Sequence, residues 1–485
     1  MRKKSLMLNA FLNGLRSVLN ILFPLITFPY VTRVLSVNGI GIYNFSNTYI
    51  GYFVLIAGLG ISTYAVREGA KYRDDPQNIS KFSSQIFSIN IYSTVVAYTL
   101  LLLSLIIFKN LSNYVSCILI LSLQILFTTL GTEWIYIIYE DYTYITIRSI
   151  VFKILSIFLL FLLVRTPKDY LIYAGISVFA GVGSNLLNFI HARRICTIKM
   201  TTSINWRYHL KPILVIFATS IAITIYMSAD TTMLGIMKSD YDVGIYSTSV
   251  KIYTIIATLL GAISTVVIPR LAMLYGKHRL KEYKKVLSEL INTLNIIVLP
   301  GTVGLIMLSQ EIVLIIAGKK YLPSVTSLQL ISFAIIFSNF SLIFNQCVLI
   351  PAKRESKSLI NTIVTASINI LLNFILIPFM SYDGTALSTT IAEFMVMVMN
   401  AWSGWDIIKN VIFSRQMLKS IGSSLIGCVG IIFVCICCKI SYSSIIIRIL
   451  MSVGLSVSIY MAILILLKNE VLMSYLKKFK ERSLF

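Results

Sequence analysis

The sequence predicts an all-α protein that crosses a membrane many times. Of its 485 residues, 57% are hydrophobic and only 13% are charged, and the mean hydropathy is +0.84. Apolar runs of about 20 residues recur along the chain, each long enough to cross a hydrocarbon core of about 30 Å as a helix. The runs are continuous rather than alternating, which favours helices over a transmembrane β-barrel.

The apolar runs define about 14 transmembrane helices. The first run is too long for a signal peptide, contains Arg16 and lacks a small-x-small cleavage site, so we retain it as the first span. We place the spans at residues 8–32, 43–64, 84–107, 114–136, 146–164, 171–191, 212–236, 245–268, 291–309, 325–350, 358–379, 384–405, 419–438 and 445–467.

The positive charges alternate between the two sides of the predicted membrane. The net charge is +23, and 30 Lys and Arg residues fall in the loops of one side against nine on the other. Basic loops stay in the cytoplasm, so the bias predicts an even number of spans with both termini cytoplasmic. Because the basic residues are dispersed through short loops, we do not expect a nucleic-acid partner.

The loops are too short for a soluble catalytic domain, which predicts a transporter rather than an enzyme. The three histidines, His191, His209 and His278, all fall in predicted cytoplasmic loops. The seven cysteines lie mainly in or beside apolar runs and form neither a metal-ligand pattern nor a disulfide framework. We therefore expect no metal and no cofactor.

A short motif occurs twice and indicates an internal repeat. Gly41-Ile42-Tyr43 and Gly244-Ile245-Tyr246 are 203 residues apart. The first copy follows the first span, and we place the second copy in a short polar loop after the seventh. Six spans separate the copies, and an even number predicts parallel repeats about an axis along the membrane normal. The predicted lobes are 1–200 (spans 1–6) and 205–410 (spans 7–12). Residues 415–485 add spans 13–14 and a basic cytoplasmic tail.

Two-lobed membrane proteins of this kind suit alternating access, in which one lobe moves against the other around a site near the midplane. At this point the residues resemble a known family. FPLITFPYVTRVLSVNGIGIYNF (23–45) resembles the first-span signature of polysaccharide repeat-unit flippases, and DTTMLGIMKSDYDVGIYSTSVKIY (230–253) resembles the signature that opens their second half. The segment 383–393, DGTALSTTIAE, is similar to their twelfth-span pattern.

These flippases are the Wzx-type branch of the multidrug/oligosaccharidyl-lipid/polysaccharide (MOP) exporter superfamily, whose fold is MATE-like. The resemblance implies movement of undecaprenyl-pyrophosphate-linked oligosaccharide units from the inner to the outer leaflet of the bacterial plasma membrane. The product would be O-antigen, capsule or exopolysaccharide. A polysaccharide polymerase and a chain-length regulator are candidate partners, beside the substrate and the membrane lipids.

Two alternatives stay open at this point. A multidrug or cation antiporter of the same superfamily would favour an acidic cavity, whereas cations outnumber carboxylates inside these spans. A membrane-embedded polysaccharide polymerase or transferase would be expected to have a large external loop.

Three cations lie inside predicted spans: Arg16, Lys153 and Lys251. Each costs about 2.5–3.5 kcal/mol at a helix centre, so a function is expected of it, and a pyrophosphate head group needs such cations. The alternative is that each side chain reaches to the nearer interface. Arg33 and Arg270 flank spans and are either contacts to the substrate at the mouths of the cavity or topological anchors.

Two carboxylates lie well inside predicted spans, away from the span ends. Asp230 and Lys251 lie at similar depths on neighbouring spans, so they form either a structural ion pair or a gate. Glu393 is near the midplane, and Glu393 and Asp230 are our candidates for coupling to H⁺ or Na⁺. Amides such as Asn345, Asn369 and Asn373 either line a sugar path or bond helices to one another.

Overall fold

The fold is helical throughout the part of the chain that the computed structural model describes, residues 6–482, with the side chains of the first and last helices described only in part. Nineteen α-helices and no strand occur between these residues. They form two compact units, with the boundary between Gly244 and Ile245. The lobes predicted from the repeat, 1–200 and 205–410, stay a prediction, as does the segment 415–485.

Ten helices belong wholly to the first unit. They are α1 (Leu6–Val34), α2 (Val37–Gly58), α3 (Ile61–Gly69), α4 (Pro76–Ile107), α5 (Val115–Gly131), α6 (Glu133–Ile138), α7 (Tyr142–Leu163), α8 (Tyr170–Val178), α9 (Asn185–Ala192) and α10 (Trp206–Met237).

The next helix, α11 (Asp240–Gly276), carries the chain into the second unit. The others are α12 (Leu280–Met307), α13 (Ser309–Ile316), α14 (Ser324–Ile343), α15 (Glu355–Ser403), α16 (Trp405–Ile412), α17 (Arg415–Ser441), α18 (Ile445–Leu466) and α19 (Glu470–Arg482).

The chain is a multi-pass membrane protein. Twelve helices between residues 6 and 482 are long and apolar enough to cross a bilayer, and part of α1, Leu22–Val34, forms a shorter apolar helix. Large apolar side chains stand exposed on them, Val266 at 79% and Phe379 at 86%. Such exposure fits contact with acyl chains. The total of fourteen spans stays a prediction.

One of the twelve helices accounts for two predicted spans. Helix α15 has 49 residues, about 74 Å at 1.5 Å per residue, and its backbone leaves the helical region at Ser381 (φ 49°, ψ −127°). Asn361 bonds Asn400 at 2.9 Å, and Ser388 bonds Asn373 at 2.6 Å. These pairs are equidistant from residues 380–381, so α15 folds back as a hairpin. Its halves correspond to predicted spans 358–379 and 384–405.

Other predicted spans are interrupted helices. The second span is divided between α2 and α3 at Leu59 and Gly60, both with positive φ, and the fourth is divided at Thr132 (φ 41°). A π-helical turn, Phe179–Gly183, separates α8 from α9. Irregular backbone at membrane depth is tolerated where protein surrounds it or where it lines a cavity.

Both glycine motifs lie in the first turns of helices, so the prediction that Gly244-Ile245-Tyr246 lies in a polar loop is wrong. The Ser36 hydroxyl accepts a hydrogen bond from the Gly39 amide at 3.0 Å at the start of α2. The Ser239 hydroxyl accepts one from the Asp242 amide at 3.3 Å before α11. A serine at this position satisfies an amide that the first turn leaves without a partner, so each helix starts earlier than its apolar run.

The segment that joins α9 to α10 lies along one face of α4. Its backbone amides at Thr197, Lys199 and Thr201 donate to serine hydroxyls of that helix at 3.2, 3.2 and 2.8 Å. The three acceptors are four residues apart and so share a face: Ser80, Ser84 and Ser88. This joining segment therefore holds a fixed course without secondary structure of its own.

Candidate translocation site

Among the predicted site residues of the first unit whose side chains the structure describes, Asp230 is the most buried. It is 8% exposed on α10 and is close enough to Tyr52 of α2 for an electrostatic interaction. The Tyr52 hydroxyl shares a hydrogen bond with the Thr232 hydroxyl at 2.8 Å. The carboxylate is therefore within electrostatic range of a tyrosine that is hydrogen-bonded to α10.

Two of the three predicted cations of the first unit belong to α1, and the third contacts it. The Lys153 ammonium on α7 is 5.8 Å from the centre of the Phe23 ring on α1, within the range of a cation–π contact. Arg33 is exposed in the last turn of the same helix. Arg16 also belongs to α1, but its side chain is outside the described residues. The contact that the structure shows between these residues and α1 is therefore the one from Lys153 to Phe23.

The second unit holds the other predicted residues on α11 and α15. Lys251 and Glu393 are half-buried, whereas Arg270 is exposed. Glu393 interacts electrostatically with Tyr253 of α11, whose hydroxyl bonds the Ser338 hydroxyl of α14 at 3.4 Å. The Glu393 carboxylate therefore has a tyrosine of the neighbouring helix within electrostatic range.

The pairing of Asp230 with Lys251 stays a prediction. Asp230 belongs to the first unit and Lys251 to the second. The choice between a gate and a structural ion pair is open for the same reason.

The amides of the second unit bond helices to one another. In the α15 hairpin, Asn361 donates to Asn400, and Asn400 donates to the Ser341 hydroxyl of α14 at 3.0 Å. Asn373 accepts from Ser388 in the opposite half. Of the two roles left open by the sequence, these contacts favour interhelical bonding, which removes polar groups from the lipid.

Sequence reasoning misses a buried ionic cluster in the second unit. The Glu311 side chain on α13 is 2% exposed and lies 3.1 Å from the Arg448 guanidinium of α18 and 3.8 Å from the Lys439 ammonium of α17. The charge pattern alone assigns both cations to outer loops. Their partner is more than 100 residues away in the chain, so no local pattern can reveal the contact.

The charge pattern also assigns Arg148 to a loop, but this residue is buried in α7. It is 9% exposed, and its guanidinium donates to the Ser184 carbonyl at 3.2 Å, at the π-helical turn before α9. The guanidinium thus adds a second hydrogen bond to a carbonyl that also accepts from the Asn188 amide at 3.3 Å, beside the irregular turn. The signal in the sequence is its position three residues into the predicted span.

The described residues contain no group of three His, Cys, Asp or Glu side chains placed to hold a metal ion. All seven cysteines are free thiols, six of them buried and Cys437 exposed.

An apolar groove of about 430 Å³ opens in the second unit. Helices α12, α14, α15, α16 and α17 contribute its walls, with aromatic side chains that include Phe337, Phe340, Trp402 and Trp405. A surface of this composition can hold an aliphatic chain.

Comparison with known proteins places this architecture in a wider group. The family model described as "Polysaccharide biosynthesis protein" matches residues 6–275, and the MatE model matches residues 216–375. A Shigella dysenteriae protein named "Putative O-antigen transporter" is 24% identical over 399 residues, which is 82% of this chain and 98% of the relative.

Two solved structures share the fold. The inward closed conformation of the lipid II flippase MurJ aligns with a TM-score of 0.70 and 18% identity, over 94% of this chain and 99% of its own. An inward-facing multidrug resistance MATE family transporter of the MOP superfamily aligns with a TM-score of 0.59 and 13% identity, over 80% and 99%. The predicted MATE-like, all-α membrane fold is confirmed.

Proposed function

The chain belongs to the polysaccharide biosynthesis protein family, and from that premise we propose that it is a flippase for lipid-linked oligosaccharides. It moves undecaprenyl-pyrophosphate-linked repeat units from the cytoplasmic to the outer leaflet for the synthesis of a surface polysaccharide. The family match over residues 6–275 is the observation that carries the proposal. Two similar proteins support the proposal: one is named an O-antigen transporter and the other a lipid II flippase. A saccharide attached to a lipid is a substrate that fits both names.

The charges of the spans suit such a head group. Arg16, Lys153 and Lys251 would meet the pyrophosphate, with Arg33 and Arg270 at the mouths of the path. Arginine offers a planar pair of donors and lysine a point charge, and both are stronger toward phosphate where water is scarce. The lipid part needs an apolar surface outside the polar path, and the groove beside Phe337 and Trp402 offers one.

The cycle we propose is alternating access driven by an ion. Asp230 and Glu393 are the candidate carriers of H⁺ or Na⁺. In proteoliposomes, an imposed ion gradient is expected to speed transport by the parent protein, and Glu393→Gln is expected to remove that response. Transport that ignores both pH and Na⁺ gradients would contradict the coupling.

The orientation follows from the charge bias. The protein lies in the bacterial plasma membrane with both termini in the cytoplasm. A polysaccharide polymerase and a chain-length regulator would receive its product on the outer side.

The experiment that tests the function is transport of a defined undecaprenyl-pyrophosphate oligosaccharide across proteoliposomes. The parent protein is expected to expose the glycan to an enzyme added on the opposite side, and Arg16→Ala is expected to lose most of this activity while it still accumulates. Arg16→Lys, which keeps the charge, should retain part of it. Failure of the parent protein to move the lipid would refute the proposal.

A multidrug antiporter is the second candidate, favoured by the MatE match at residues 216–375. It would export organic cations in exchange for an ion. Transport of organic cations in the same proteoliposomes and drug resistance of host cells separate the two candidates. A flippase is expected to transport no organic cation and to leave the drug tolerance of the cells unchanged.

A further inference from the structure

The two copies of the glycine motif make a reciprocal contact. A Cβ atom built on Gly41 of α2 would overlap the backbone carbonyl of Asp240, and one built on Gly244 of α11 would overlap that of Val37. Val37 and Asp240 are the first residues of the two helices and, like the glycines, are 203 positions apart. The glycine of each helix therefore packs against the backbone of the first residue of the other helix.

Only glycine permits this approach of backbone to backbone. The contact is self-complementary in the way that a two-fold interface is, with the same patch used from both sides. A repeat in the sequence does not require its copies to touch. Here the contact involves the glycine of each copy of the motif.

Aromatic side chains surround this contact between the two helix starts. The Tyr114 hydroxyl donates to the Asp240 carboxylate. Tyr114 also packs on Phe45 with ring centroids 4.6 Å apart, and a Cβ on Gly235 would overlap that Phe45 ring. The contact is thus enclosed by aromatic rings and by a third glycine.

We propose that this reciprocal glycine contact is the closure of the outer end of the protein, and that it parts during transport. The inference rests on the proposed function and on the predicted orientation, which place the starts of α2 and α11 on the outer side. The sequence assigns α2 to the first repeat and α11 to the second. Backbone contacts of this type are weak, so the closure can open and reform at low cost.

The closure is tested by the distance between spin labels at Asn38 and Tyr241. Both side chains are exposed, and they occupy equivalent positions of the two copies. Labelling uses Asn38→Cys and Tyr241→Cys in a Cys437→Ser background, because the other six native cysteines are buried. The parent protein is expected to show a short, narrow distribution. Gly41→Ala and Gly244→Ala are expected to lengthen and broaden it.

Gly51→Ala is the matched control. Gly51 lies on the same helix, α2, and a Cβ there meets nothing within 4 Å. Its distribution should equal that of the parent. Unchanged distances in both Gly41→Ala and Gly244→Ala, in protein that is monodisperse and helical by circular dichroism, would overturn the closure.

A second measurement decides the matter if the glycine variants do not fold. A cleavable cross-linker between the cysteines at 38 and 241 should stop transport, and cleavage should restore it. Full transport by the cross-linked protein would refute the closure. A parent protein that fails to move the lipid would refute the proposed function. The closure would still be tested by the spin-label distances, because these do not depend on the transported molecule.

Discussion

Asp230 and Lys251 are ionisable residues within apolar helices, and such residues are informative about function. A charge in hydrocarbon is costly, so its presence in an apolar run is by itself an indication of function or pairing. In the fold, Asp230 is buried within electrostatic range of Tyr52, and Lys251 is half-buried. The depth of each charge in the membrane stays a prediction from its place in the run.

The predicted Asp230–Lys251 pair has a specific test at the residue scale. Asp230→Lys and Lys251→Asp should each abolish transport, since each places two like charges together, and the double variant should recover it. The measurement is surface polysaccharide in complemented cells, with protein amount checked on a blot. An inactive double variant that accumulates normally would argue against pairing.

At the scale of elements, the buried Glu311 carboxylate of α13 depends on the partly exposed Arg448 of α18 and Lys439 of α17, which are 23% and 35% exposed. Removing one partner of a fully buried pair typically costs about 3–5 kcal/mol. The partial exposure of Arg448, and Lys439 at 3.8 Å from Glu311, place the expected loss below that range. Arg448→Ala should therefore lower the thermal stability in detergent. The double variant Glu311→Leu with Arg448→Met should recover much of that loss, since both charges then leave.

Arg279→Ala is the control for the Arg448 experiment. Arg279 pairs with Glu282 on the surface, where both side chains are about half exposed. Exposed pairs contribute about 0–1 kcal/mol, so this variant should unfold close to the parent temperature. Equal losses for Arg448→Ala and Arg279→Ala would contradict a special role of the buried cluster.

A second pair joins the start of α15 to α16 outside the membrane. Arg354 bonds both carboxylate oxygens of Asp406 at 2.6 and 2.7 Å, and this hydrogen bonding holds the pKa of Asp406 below its usual value. A depressed pKa stabilises the folded state above the unfolded value, near 4, and the stabilisation disappears as the pH falls through the folded value.

Asp406→Asn should thus destabilise the protein slightly at neutral pH and not at all in strong acid. Asp406 is 61% exposed, so solvent screening limits the effect to less than about 1 kcal/mol. The measurement is the difference in melting temperature between parent and variant from pH 7 to pH 3. A difference that grows toward acid would have the wrong sign.

These elements show what the sequence could and could not predict. Apolar run length located nearly every long helix, because crossing a bilayer imposes a minimum length. It could not locate the break at Thr132, where a residue other than glycine takes a positive φ, nor the contact of Glu311 with Arg448. Breaks and distant pairs depend on neighbours that come together only in the fold.

At the scale of the whole molecule, the charge bias predicts the topology. A green fluorescent protein fused after the last residue should fluoresce, because it folds in the cytoplasm. Alkaline phosphatase fused after Tyr442, between α17 and α18, should be active, because it folds outside. The reverse pattern would invert the orientation and move the proposed glycine closure to the cytoplasmic side.

The serine face of α4 sets a rule for the length of the joining segment. Four helical residues advance about 6.0 Å and two extended residues about 6.6 Å, so hydroxyls and amides stay in step over three contacts. The serines of α4 and the amides of the joining segment therefore have nearly the same spacing. Inserting or deleting two residues in the segment would again place amides opposite serines. Inserting or deleting one residue would turn the amides beyond that point away from the serines.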